Sequence, residues 1–168
     1  MPLQVSKPAV AAERAVRSML ARIVATDADY VPALRSAAQK MGWRFFVHHA
    51  DKVVATINSS MHDKGKHGFS NITTGRFVAG TERAIRRAEQ LESVRKGRFE
   101  PLLLQVPAIH LVTLWLRNLD TQDDLIMPIS PAPKPLRAYH VLSTRDFVAA
   151  ITELASQAQR AHAEAHRR

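Results

Sequence analysis

The sequence predicts an α+β fold in which helices pack against a largely antiparallel sheet. Three features predict it. Apolar residues recur at helical spacing toward both ends of the chain, the stretch 43–60 is rich in aromatic and β-branched residues, and apolar runs separated by turn residues fill positions 99–129. With 168 residues and an ordinary apolar share, the chain is expected to form a single globular domain over 1–168 around one core.

Local signals give the element order. Ser6, Lys7 and Pro8 suit a helix start; Val16, Met19, Leu20, Ile23 and Val24 then recur on one side, with Arg14, Arg17 and Arg22 elsewhere on the cylinder. Asp27 or Asp29 can cap a second helix that tolerates Pro32 in its first turn, turns Leu34, Ala38 and Met41 to one side and stops at Gly42. Residues 43–60 fit either a helical stripe of Phe46, Ala50, Val53, Val54 and Ile57 or two strands broken near Ala50 and Asp51; their composition favours a β-hairpin. Residues 61–76 collect Gly65, Gly68 and Gly75 among polar neighbours and predict a long loop. A helix is then expected from Phe77 or Thr81 to about Val94, with Ile85, Ala88 and Leu91 inward, closed by residues 95–97.

Residues 99–106 predict a strand in which Pro101 suits an end or an edge. Residues 109–116 are apolar on both alternating faces, the pattern of a central strand covered on two sides. A polar turn over 118–124 leads to a short strand at 125–129, giving about five strands interrupted by one helix. Pro128, Pro131, Pro133 and Pro135 impose an extended connector over 128–142, because each fixes its own φ and biases its predecessor away from helix. Ser143 with Asp146 resembles a capping box and opens a long C-terminal helix along Phe147, Ile151, Leu154, Ala158, Ala161 and Ala165. Its stripe thins to alanine, so residues from about 159 to 168 are expected to fray as a basic tail.

Composition removes several classes of function. The absence of cysteine excludes a disulfide framework, a thiolate nucleophile and a cysteine-based zinc site. No run approaches the roughly 18 apolar residues of a membrane span, and residues 1–24 lack the continuous apolar stretch of a secretory signal. The expected compartment is the cytoplasm, with no membrane partner. The net charge of +9 is spread along the chain: six cations face three carboxylates over residues 1–40, five face two over 41–80, seven face five over 81–120 and six face five over 121–168. No basic block of the kind that marks a nucleic-acid arm is present.

Several constellations carry chemistry at the level of residue type. His48, His49, Asp51, His62, Asp63 and His67 together hold imidazole and carboxylate, the donors of a divalent metal or a hydrolytic centre. His-Glu-x-x-His is absent, and His48 and His49, as neighbours on a strand, point to opposite faces, which leaves His62, Asp63 and His67 as the weak metal candidates. The run Lys64-Gly65-Lys66-His67-Gly68 offers backbone amides and ammonium groups to an anion, but it lacks the P-loop spacing. Arg83, Arg86 and Arg87, extended by Arg95, Lys96 and Arg98, could track a phosphate backbone. Glu82 with Arg86 and Glu92 with Lys96 stand i to i+4 and would instead brace an exposed helix; no aromatic series interleaves with these cations. Pro128-Ile129-Ser130-Pro131 reads as a rigid connector, His162 and His166 as surface residues of a helix end, and no serine sits in a Gly-x-Ser-x-Gly elbow.

The expected function is therefore a non-enzymatic protein-binding or adaptor domain that engages another protein through its sheet or a helix face, with no cofactor and no assigned catalytic residue. The first alternative is a nucleic-acid-binding protein using Lys64, Lys66, His67, Arg76, Arg83, Arg86 and Arg87. The second is a metal-assisted hydrolase built on His62, Asp63 and His67.

Overall fold

The computed structural model of the chain describes residues 4–5, 9–12, 30–61 and 67–165. Within them the order is β1 (Gln4–Val5), β2 (Ala9–Ala12), α1 (Tyr30–Ala37), β3 (Lys40–His49), β4 (Lys52–Met61), β5 (His67–Thr73), α2 (Arg76–Glu89), α3 (Glu92–Lys96), β6 (Phe99–Val106), β7 (Leu111–Asn118), β8 (Leu125–Pro128), β9 (Leu142–Ser143) and α4 (Thr144–Ala165). The α+β class holds, and the antiparallel pairs dominate. Two groups, β3–β5 and β6–β9, join through β2, which runs antiparallel to β3 and parallel to β6; the path is β5-β4-β3-β2-β6-β7-β8-β9, with β1 also on β3.

The second group is the centre of the molecule. Leu102, Leu104, Val106, Leu111, Trp115 and Ile126 face one layer, where Leu34 of α1 and Phe147, Val148, Ile151 and Leu154 of α4 close the core. Leu103, Leu114, Leu116, Met127 and Ile129 face the other, against Ala84 and Ala88 of α2. Alternate residues of one strand thus enter opposite cores, which is why 111–116 is apolar at every position but Thr113. Each fully buried leucine, isoleucine or phenylalanine contributes about 1.5–3 kcal/mol. The small residues of α2 permit its close approach: a Cβ on Gly80 would stand 2.9 Å from Ile129 Cγ2 and 3.3 Å from the Tyr139 hydroxyl. The last helix starts as its sequence predicts, with the Asp146 amide donating to Ser143 Oγ (3.1 Å); that hydroxyl in turn donates to Asp146 Oδ2 (2.7 Å), so the carboxylate takes the side chain of its cap.

Five expectations need correction. Only α1 represents the two helices expected before the first strand: residues 9–12 of the first form β2, and 13–24 lie outside the described residues. Among the described residues the sheet holds nine strands rather than about five, eight along its path and β1 beside β3. Residues 67–73, expected in a loop, are strand β5 paired with β4, because the β-forming Phe69 and Ile72 outweigh the glycine at 68. The single helix expected from residue 77 to 94 is two: the chain turns extended at Leu91 (φ −71°, ψ 129°), which lets Leu91, Val94 and Phe99 all reach the α2-side core. Strand β7 begins only at Leu111, since Pro107 opens a 3₁₀ turn and His110 is left-handed (φ 50°).

A buried carboxylate ties α1 to this sheet. Asp124, 2 % exposed, accepts from Arg35 Nη2 (2.5 Å) and the Asn118 amide (2.9 Å) on Oδ1, and from Arg35 Nε (3.1 Å) and Trp115 Nε1 (3.0 Å) on Oδ2. Arg35 Nη2 also donates to the carbonyls of Asn118 (2.8 Å) and Thr121 (3.2 Å). Replacing Arg35 by Met strands this carboxylate; the expected loss is about 3 kcal/mol, a fall in Tm on the order of 10 °C in a thermal unfolding scan.

Candidate protein-binding face

Strands β3, β4 and β5 form a three-stranded antiparallel unit whose two faces differ. Register places Trp43 opposite Ser59 and Ser59 opposite Phe69, Phe45 opposite Ile57 and Ile57 opposite Ile72, and Met61 opposite His67. Opposed residues share a face, so these side chains form one surface. Ser70 has no partner in the register, an extra residue that lets Phe69 and Ile72, three positions apart, emerge on the same side. Toward β3 the surface is half-buried, with Trp43 packed on the α1–α4 core. Toward β5 it is open: Phe69 is 69 %, Ile72 60 % and Met61 45 % exposed.

Polar contacts frame this surface. The Lys40 ammonium lies 3.6 Å from the centre of the Trp43 ring, and Trp43 Nε1 donates to His67 Nε2 (3.3 Å) with the two rings edge to face, 6.2 Å apart. Lys40, Arg44 and Lys52 are the charged residues of the three strands, which contain no Asp or Glu. The opposite face carries a ladder: Arg44 Nε donates to Asn58 Oδ1 (2.7 Å), and Asn58 Nδ2 donates to Asn71 Oδ1 (2.5 Å) and Thr73 Oγ1 (3.1 Å). Burial lowers the Arg44 guanidinium pKa below its ordinary value, and no carboxylate among the described residues forms an ion pair with it. Farther along this face α2 covers the hairpin, leaving a 330 Å³ cleft between Phe46, His48 and Val53 and Glu82, Ile85, Arg86 and Glu89.

The residues singled out from the sequence do not gather. Lys64, Lys66, His62 and Asp63 lie outside the described residues. His67 is exposed at the start of β5, opposite Met61, whereas Arg86 pairs with Glu82 (2.8 Å) and donates to the Asp51 carbonyl (3.3 Å) at the β3–β4 turn. The Glu82 hydrogen bond raises the Arg86 pKa above its ordinary value. Those positions mark the two ends of the ten-residue β4, about 30 Å apart. Arg83 stacks on Tyr139 at 5.6 Å, while Arg76 and Arg87 are exposed on α2. Glu92 and Lys96 pair at 2.5 Å, as their spacing predicts. His48 is half-buried in the α2 cleft and His49 exposed, and among the described residues no group of three or more His, Asp or Glu could hold a metal ion.

What sequence reasoning missed is the set Trp43, Phe45, Ile57, Met61, Phe69 and Ile72. The signal was present in the β-forming Phe69 and Ile72, but the extra Ser70 breaks the two-residue period that would have exposed it. No protein-family model, curated protein or solved structure matches the chain. Among the described residues no helix is long and apolar enough to cross a membrane.

Because this face is open at β5, substitution there separates surface from core. Phe69→Ser with Ile72→Thr should change the unfolding free energy by no more than about 1 kcal/mol, whereas Phe46→Ala should cost about 3–5 kcal/mol, both read by urea denaturation.

Proposed function

We propose that the protein is a protein-binding domain whose contact surface is the open apolar face of β3–β5. The observation that supports this most is the exposure of Phe69, Ile72 and Met61 beside Trp43, Phe45 and Ile57 in adjoining register. Contiguous exposed apolar surface with a polar rim is the mark of an interaction site, and aromatic residues supply the anchors of such interfaces. The absence of carboxylates from the three strands, with Lys40 on the Trp43 ring, favours a partner whose rim is acidic. Affinity capture of the tagged protein from its native cell, with nuclease present, should retain a defined partner that contacts a photo-crosslinker placed at residue 69. Phe69→Asp with Ile72→Asp should abolish retention while leaving Tm within a few degrees. Equal recovery by the variant would remove the reading.

A second reading rests on a different property of the same strands. Trp43, His67 and Phe69 supply the aromatic series that the linear sequence does not show beside its cations, close in the chain to Lys64 and Lys66. Stacking of single-stranded bases on such residues is worth about 1–3 kcal/mol per base. On this reading a fluorescent oligonucleotide binds with affinity that falls linearly in log–log form as salt rises, and Trp43→Ala weakens it about tenfold or more. Absence of binding at low salt discards it.

A further inference from the structure

We propose that the cleft between the N-terminal ends of α1 and α4 and the β7–β8 turn binds a small zwitterion of the α-amino acid class. The cleft has a volume of about 690 Å³, within the usual range for small-molecule sites. It lies beside β8 and β9, at the opposite end of the sheet path from β5, so it is separate from the protein-binding face.

Two opposite charges line this cleft without neutralising one another. Arg145 stacks on the Tyr30 ring at 5.8 Å and forms no ion pair among the described residues. Asp123 accepts only a neutral hydroxyl there, from Thr121 (3.0 Å), and likewise forms no ion pair. The neighbouring carboxylate of Asp124 is already saturated by Arg35, Trp115 and the Asn118 amide. Ser143 Oγ is engaged with Asp146. What remains open to a ligand is one cation, held against the Tyr30 ring, and one anion.

Thr144 supplies the independent sign of a missing group. It lines the cleft, is only 2 % exposed, and its hydroxyl has no hydrogen-bond partner. Buried polar groups are nearly always satisfied, and an orphan at the first turn of a 22-residue helix is placed where an anion is favoured. A ligand carboxylate fits Arg145 at this end and, on a rotation of Thr144 that uncovers its buried hydroxyl, that hydroxyl as well; a ligand ammonium fits Asp123. Val31 and Leu125 leave apolar lining for an aliphatic or aromatic side chain.

Calorimetric titration of the full chain with L-leucine and L-phenylalanine, each also as its N-acetyl and its amide form, tests this assignment. The free amino acids should bind saturably at millimolar concentration or below, and either blocked form should bind about tenfold more weakly or worse, since each lacks one charge-assisted contact. Arg145→Gln, Asp123→Asn and Thr144→Val should each lower affinity about tenfold, with Thr144→Ser retaining it. Thr144→Val should also leave Tm unchanged or raised, because it deletes an unsatisfied hydroxyl; if it fails to fold, the Arg145 and Asp123 variants decide. No heat from either amino acid, equal binding of the blocked forms, or binding indifferent to all three substitutions overturns the proposal.

Discussion

The Asp124 carboxylate, held below the surface by four hydrogen bonds, sets the position on which much of the fold depends. Two of those bonds come from Arg35 on α1 and two from β7, through the Trp115 indole and the Asn118 amide. The residue beside Arg35, Leu34, is thereby delivered into the α1–α4 core at 1 % exposure. A paired charge of this kind contributes less to net stability than to the choice of arrangement, because desolvation offsets most of the Coulombic attraction. The Asp124 hydrogen bond raises the Arg35 pKa above its ordinary value. A raised cation stabilises the fold below its unfolded pKa and loses that contribution only as pH passes the folded value, so the clamp keeps its guanidinium charged across the whole neutral and acidic range.

Around that clamp, the two groups of strands are built by different rules. The β6–β8 group is covered on both faces and uses large aliphatic residues at successive positions, while the β3–β5 group is covered on one face where α2 crosses Phe46 and Val53 and on the other only at Trp43, beside the α1–α4 core. Helix α2 serves both: Ala84 and Ala88 press on the central sheet, and Ile85, Glu82 and Glu89 turn to the hairpin. Its small residues let one helix lie across both groups without forcing them apart. The third strand, β5, lies beyond the reach of this cover and keeps its phenylalanine and isoleucine in solvent.

Much of this was legible in the sequence where a local rule governs. The hairpin broken at Ala50, the doubly covered strand expected over 109–116 and found from Leu111, the Ser143 cap and the Glu82–Arg86 and Glu92–Lys96 pairs follow from period, turn and spacing. What was not legible depends on partners distant in the chain. Arg35 and Asp124 are 89 positions apart, so nothing local announces their pairing. The helical period that suggests one element from 77 to 94 cannot register the turn at Leu91, which is set by where Leu91 and Phe99 must pack. The candidate face was hidden for a third reason: its defining residues straddle an irregularity, and the cationic side chains that stand out in the sequence lie at opposite ends of β4.

That irregularity has a further effect. A terminal strand with no charge of its own and with bulky apolar side chains is the form most able to recruit another chain's backbone and grow into fibres. The unmatched Ser70 interrupts the ladder halfway along β5, so its outer rim cannot present seven consecutive residues in one flat register. The same insertion that turns Phe69 and Ile72 to a common side therefore blunts the rim as a template for a further strand.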